Sequence, residues 1–228
     1  MIFHNRGIFL LGVTFMHMSD ALISPVVGGT MIAISAAAIA YSVKKVNTEL
    51  HIDEGERKIP LMGILGAFIF AAQMINFSIP MTGSSGHLAG ALLLCALLGP
   101  YAGFLVMACV LTIQALLFAD GGLLALGCNI FNMGFYACFI VYPLLYKKMV
   151  KQNISMTKIT IASIFSAIFS LQLGSFSVVM ETLVSGKTEL SFFCLSHLCS
   201  QFILRLVSWK VWLPLLSSVL CTKQCHKF

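Results

Sequence analysis

Apolar blocks of nearly bilayer-spanning length recur along the whole chain, at roughly 24–43, 60–77, 86–98, 101–119, 124–146, 159–180 and 190–220. A crossing helix needs about 20 apolar residues, because the hydrocarbon core of a membrane is about 30 Å thick. A soluble core has no need of that block length. Only 10% of the 228 residues are charged, against about 25% in soluble domains, which leaves too little polar surface to solvate a globule of this size. The expectation is an all-α, polytopic membrane protein with about six to seven transmembrane helices and no soluble domain. The block at 86–98 is short for a full crossing, so it tilts, begins in the preceding loop, or is a partial span buried against protein. Gly99-Pro100 should separate it from the next block, since proline cannot continue helical hydrogen bonding.

The formal net charge of +6 does not call for an anionic partner such as nucleic acid. Lys44, Lys45, Arg57 and Lys58 sit in one short loop, 44–58, and Lys147, Lys148, Lys151 and Lys158 in another, 147–158. If the first five blocks all cross, these loops share a side, which the positive-inside rule makes cytoplasmic. Segments 16–23, 78–86, 120–123 and 181–189 then face outward, with Lys187 as their only cation. The predicted location is the cytoplasmic (inner) membrane of a bacterium or archaeon, with the His17 end outside. The cysteines make no disulfide framework: Cys95, Cys109, Cys128 and Cys138 fall inside apolar blocks, where a reduced thiol acts as a small hydrophobe.

Three outward segments carry the polar chemistry: Met16-His17-Met18-Ser19-Asp20, Thr82-Gly83-Ser84-Ser85-Gly86-His87-Leu88, and Phe118-Ala119-Asp120-Gly121-Gly122. Histidine is the commonest transition-metal ligand and is costly at membrane depth unless paired. A plainer reading has His87 capping a helix or bonding a carbonyl, and Asp120 capping the start of the following block. Two histidines on one face, beside a Gly/Ser loop that permits close backbone approach, keep the metal reading open. The methionines, Met16, Met18, Met62, Met74 and Met81 among them, could suggest a soft-metal Cu(I) channel; ordinary helix packing explains them better.

The order of motifs resembles a known family. Met-His-x-x-Asp-x-x-x-Ser-Pro matches Met16–Pro25, and Gly-x-Ser-x-His-Leu matches through Gly83, Ser85, His87 and Leu88. Leu-Leu-Gly-Pro (97–100), Gln114-Ala-Leu, Phe118-Ala-Asp-Gly-Gly-Leu, Gly127-Cys-Asn-Ile-Phe-Asn-Met-Gly and Glu181-Thr-Leu-Val-Ser-Gly-Lys-Thr-Glu189-Leu follow in sequence. Over about 16–192 the chain looks like the CbiM/NikM family, the substrate-capture membrane components of energy-coupling-factor transporters for cobalt and nickel. The resemblance implies a fold like that of the substrate-specific component of such systems. It also implies a site in which a free amino terminus, the following His backbone nitrogen and imidazole, and a further His hold the metal. Carried over, these donors are the Met16 amine, the His17 backbone and side chain, and His87. Four nitrogens in a plane suit Ni(II), and Co(II) uses similar donors. Asn76, Ser84, Ser85 and Asp120 are candidates to orient the ligands by hydrogen bonds.

The chain has no Walker-type phosphate loop, so energy must come from elsewhere. The resemblance implies two cytoplasmic ATPase subunits, a transmembrane coupling subunit and often a small accessory membrane protein, with the cargo feeding cobalamin synthesis or nickel enzymes. Small residues in the third and fourth blocks (Ala89, Gly90, Ala91, Ala96, Ala102, Gly103 and Ala108) allow close helix approach, within the chain or to a partner helix. The rival reading is an intramembrane metal-dependent enzyme using His17, His87 and Asp120. That reading is disfavoured because catalytic metals keep an open coordination position.

Two regions depart from the family pattern. Residues 1–15 precede the expected amine and are expected to be a mis-assigned start or a cleaved signal. The stretch 193–228 places Arg205 and Lys210 in the last block, where charge is expensive. Back-translation of Ser208–Cys221 with a two-base shift permits Met-Glu-Gly-Leu-Val-Thr-Ala, a family-like helix, so a frame change near 192–199 is expected.

Overall fold

The computed structural model describes residues 17–52, 55–74, 77–78, 85–86, 90–150 and 156–186. The 1–15 extension, the block at 190–220, Met16, Asn76, Ser84 and His87 lie outside the described residues, and of Ser85 only the backbone is described. Seven α-helices and one π-helical segment make up the regular structure of this part. Beside them stand a 3-10 turn, Asp20–Leu22, and a two-residue antiparallel pairing, β1 (Phe77–Ser78) against β2 (Ser85–Gly86), with Phe77 opposite Gly86.

Helix α1 spans Pro25–Ile52 and α2 spans Gly55–Met74. The short third block becomes α3, Ala91–Leu98, about 12 Å of helix at 1.5 Å per residue. That is too short to cross a bilayer, so the partial span is the outcome among the three expected. Its Leu94 and Cys95 are fully enclosed. The predicted break falls at Gly99, whose φ of +86° suits glycine, and Pro100 opens α4, Pro100–Leu117. Gly103 explains how α3 and α4 lie so close: a Cβ there would come within 2.9 Å of the Cys95 backbone nitrogen.

The fifth block forms one unbroken span, Leu126–Val150. It begins as α5 (Leu126–Ile130), widens into a π-helix over Phe131–Tyr146 and closes as α6 (Lys147–Val150). Wide turns of this kind are rare and gather at functional sites. Helix α7, Met156–Ser185, packs along the π-helical segment. Gly174 makes room there: a Cβ would stand 2.8 Å from the Asn132 carbonyl oxygen.

Four described spans are long and apolar enough to cross a membrane: Pro25–Leu50, Pro100–Leu117, Leu126–Val150 and Thr157–Ser185; the apolar part of α2, Lys58–Met74, is slightly shorter. Phe104, Met107, Leu94, Ile69 and Leu111 fill the interior. Ile64, Phe68, Leu116, Phe165, Phe169 and Phe176 point outward, as a lipid solvent favours. Contacts fix which ends lie together. Tyr101 near the start of α4 meets Tyr41 late in α1, at 5.9 Å between ring centroids, and Phe118 just past α4 meets Phe70 near the end of α2, at 5.3 Å. Lys58 pairs with Glu49 across the α1–α2 connection. The helices therefore alternate in direction, and the His17 end of the bundle lies opposite the end carrying Lys44, Lys45, Lys147 and Lys148.

Candidate metal site

Residues 17–23 lie across one end of the bundle before α1 begins, and one asparagine holds them there. The Met18 N–H donates to Asn129 Oδ1 at 2.7 Å, and the Met18 carbonyl accepts from Asn129 Nδ2 at 3.2 Å and from the Gly122 N–H at 3.0 Å. Each such bond contributes about 1 kcal/mol net, and a buried partner left unpaired costs about 1–3 kcal/mol. Asn129 sits on α5 and is buried, so water does not compete for its amide. The short 3-10 turn Asp20–Leu22 supplies a second anchor, with Asp20 Oδ1 accepting from the Ala125 N–H at 3.0 Å. This satisfies a donor beside the start of α5, where Ala125 has no side chain to cap. The cap role considered for Asp120 thus belongs to Asp20.

Asp120 has a different partner. Its Oδ1 lies 3.1 Å from His17 Nδ1, and its N–H donates to the Gln114 carbonyl at 3.1 Å. The α4–α5 loop reaches His17 because its backbone turns sharply, through Ala119 at φ +53° and Gly121 at φ +96°. A Cβ on Gly121 would press on Asn129 Nδ2 and His17 Cβ, at 3.0 and 3.3 Å, and one on Gly122 would overlap the Asp20 carboxylate. The imidazole is buried, with 5% of its side chain exposed against 41% for Asp120. The site is therefore a covered histidine with a carboxylate lid that still reaches solvent.

Behind Met18 lies a second polar group. Asn132 Nδ2 donates to Glu181 Oε2 at 2.8 Å and stands 3.7 Å from Met18 Sδ; the Ser177 hydroxyl donates to Glu181 Oε1 at 3.3 Å. The Cys128 thiol is within hydrogen-bonding reach of the same carboxylate. Further into the bundle, Gln114 Nε2 donates to Gln73 Oε1 at 2.9 Å, tying α4 to α2. Sequence reasoning used Asn129, Asn132 and Glu181 only as motif letters. The available signal was their cost: amides and a carboxylate inside apolar blocks are retained for a reason, and Asn129 and Asn132, three apart, share a helix face.

Of the residues expected at the site, the structure brings His17 and Asp120 into contact. It leaves Met16, His87, Asn76 and Ser84 outside the described residues, and Ser85 in β2 without a described side chain. Among the described residues, no three His, Cys, Asp or Glu side chains are gathered to hold a metal.

The pattern of the family described as the cobalt uptake substrate-specific transmembrane region matches residues 17–216. The chain belongs to this family. Its relatives are named as metal transport proteins, so the intramembrane-enzyme reading is set aside. Among relatives, a protein of Archaeoglobus fulgidus named as a fused nickel transport protein, NikMN, is 41% identical over 160 residues, covering 67% of this chain and 51% of that one. A Methanocorpusculum labreanum protein named as a cobalt transport protein, CbiM 2, is 38% identical over 109 residues, 48% of this chain and 46% of its own. The chain spans about half the length of these curated relatives. A solved transition metal transporter superposes with a TM-score of 0.74 at 28% identity, covering 92% of each chain. A truncated transition metal transporter gives 0.73, also at 28% identity, with 92% of this chain and 99% of that one covered.

Proposed function

We propose that this family member captures Co(II) or Ni(II) at the His17 end of the bundle and passes it inward as the substrate-specific subunit of an ATP-driven uptake system. The donors are the Met16 amine, the His17 backbone and imidazole nitrogens, and the His87 imidazole. The amine exists as a donor only where Met16 begins the mature chain. The observation that carries the reading is the clamp on Met18. Asn129 holds the N–H of the peptide that joins Met18 to His17, and Asn129 and Gly122 hold the carbonyl of the next, which supports a chelate built on ordered backbone beside His17. Preorganised donors bind a cation without first ordering a chain.

The orientation follows from charge: the lysine-bearing end is cytoplasmic and the His17 end faces outward. Two cytoplasmic ATPase subunits and a transmembrane coupling subunit supply the energy, with a small accessory membrane subunit alongside. The delivered ion feeds cobalamin synthesis or nickel enzymes. Calorimetric titration of Co(II) and Ni(II) into a chain beginning at Met16 tests the reading. The His17→Ala form loses high-affinity binding; affinity equal to wild type would overturn the ligand assignment.

A further inference from the structure

Glu181 is a buried carboxylate on α7, one turn (about 6 Å) from the helix end at Ser185. A carboxylate at membrane depth is expensive unless a cation or a full set of donors compensates it. Its described partners are neutral: the Asn132 amide, the Ser177 hydroxyl and the Cys128 thiol. The ion pairs His17–Asp120 and Lys58–Glu49 lie elsewhere and do not involve Glu181. A second observation is independent of the charge. Asn132 is 5% exposed, and its Oδ1 is buried without a hydrogen-bond donor among the described residues. The planar amide holds that oxygen beside the Nδ2 that bonds Glu181, so an open acceptor lies at the edge of the same group. Met18, whose sulfur stands 3.7 Å from the amide, connects this group directly to the residue after His17.

We propose that Glu181, Asn132, Cys128 and the Met18 thioether form a second, inner site for a divalent transition-metal ion, one step along its path from the capture site at His17. The proposal rests on the metal-uptake reading above. Carboxylate and amide oxygens combined with a thiol and a thioether suit borderline ions such as Co(II) and Ni(II). Magnesium or calcium would demand more oxygen donors than this group has. The Cys128 proton is released as its sulfur coordinates, because only the thiolate is a good ligand. The site is weaker than the capture site by design of its donors: it has no amine or backbone chelate, so an ion can leave it again.

The experiment titrates Co(II) into the full chain bearing His17→Ala in lipid nanodiscs, followed by absorbance. The expected result is a single Co(II) per chain with a near-UV sulfur-to-Co(II) charge-transfer band. Adding Glu181→Gln weakens this binding at least about tenfold, and adding Cys128→Ser removes the band. Cys109→Ser, on the exposed face of α4, retains both. Glu181→Asp keeps the carboxylate and restores a measurable part of the binding, which separates loss of a ligand from loss of the fold. Absence of Co(II) binding in the His17→Ala chain, or unchanged binding after Glu181→Gln, overturns the inner site. Two ions bound by the His17→Ala chain, one of them at wild-type affinity, would instead overturn the capture assignment and leave the inner site standing.

Discussion

His17 Nδ1 stands 3.1 Å from Asp120 Oδ1, joining the segment ahead of α1 to the loop between α4 and α5. That contact bears on how a metal can bind. A chelate running from the backbone nitrogen of a histidine to its own ring closes through Nδ1, the nearer ring nitrogen. The described contact therefore occupies the atom that the proposed chelate needs, and the incoming ion must displace the carboxylate. Asp120, being partly exposed, can swing aside, leaving Nδ1 to the metal and the single imidazole proton on Nε2.

Asp120→Ala accordingly removes a competitor. A hydrogen bond to a charged group contributes about 1.5–3 kcal/mol, part of which the ring's regained mobility cancels. The expected outcome is Co(II) affinity that rises by up to about fivefold in calorimetry. A fall of about 10–100-fold, typical when a carboxylate orienting a ligating imidazole is lost, would mean that the metal sits on Nε2 with Asp120 still bonded to Nδ1.

Asn129 is predicted to matter as much as a ligand. Asn129→Ala leaves the Met18 N–H without this partner in a buried setting, at about 1–3 kcal/mol, while the Met18 carbonyl keeps the Gly122 N–H. Melting temperature should fall, and Co(II) affinity should fall by about tenfold or more because the chelating backbone is no longer held. Asn129→Asp keeps an acceptor for the Met18 N–H and should lose less of both. Equal affinity in Asn129→Ala and wild type would show that the clamp does not place the site.

The blocks that fall within the described residues, the Gly99-Pro100 break and the short third span were legible in the sequence because each rests on a local property: apolar length, or the geometry of glycine and proline. The close packing at Gly103 followed from the same small-residue logic. What could not be read was partner choice across the chain. Asp120 precedes α5 by a short loop and looked able to cap it; only the folded path of Ala119–Gly122 gives that role to Asp20, on Ala125, and turns Asp120 to His17. Glu181 and Asn132 lie on different helices, 49 positions apart, and become one site only through the packing of α7 on the π-helical segment.

Gly122 has a prediction of its own. A Cβ there would overlap the Asp20 carboxylate, so Gly122→Ala must either move the loop or break the Asp20–Ala125 bond. Overpacking of this kind costs about 1–3 kcal/mol. Reduced metal affinity with the membrane-inserted fold retained is the expected result, read by calorimetry beside thermal unfolding. Ala at this position with unchanged affinity would show that the loop is not needed against the leading segment.

Orientation is testable by single cysteines at positions 120 and 148 in a chain with its own cysteines replaced. An impermeant thiol reagent applied to intact spheroplasts should label position 120 and spare position 148. The reverse pattern would put the captured ion on the wrong face for uptake and overturn the assignment of the lysine-bearing end to the cytoplasm.

The last prediction concerns the amine donor. If Met16 supplies it, affinity depends on where the mature chain begins and not on any side chain in residues 1–15. A chain starting at Met16 should bind Co(II) or Ni(II) tightly, and one forced to retain residues 1–15 should lose most of that affinity, since an amide nitrogen is a far poorer donor than a free amine. Binding should weaken as pH falls, because amine and imidazole coordinate only when deprotonated and protons compete with the metal for them. Acetylating the amino terminus of the chain that starts at Met16 isolates the amine from every other variable: sequence, length and fold stay the same while a single donor is removed. Affinity should drop by at least about a hundredfold, the equivalent of about 2.7 kcal/mol. Undiminished affinity after acetylation would take the amine out of the site and leave His17 and His87 to find other partners.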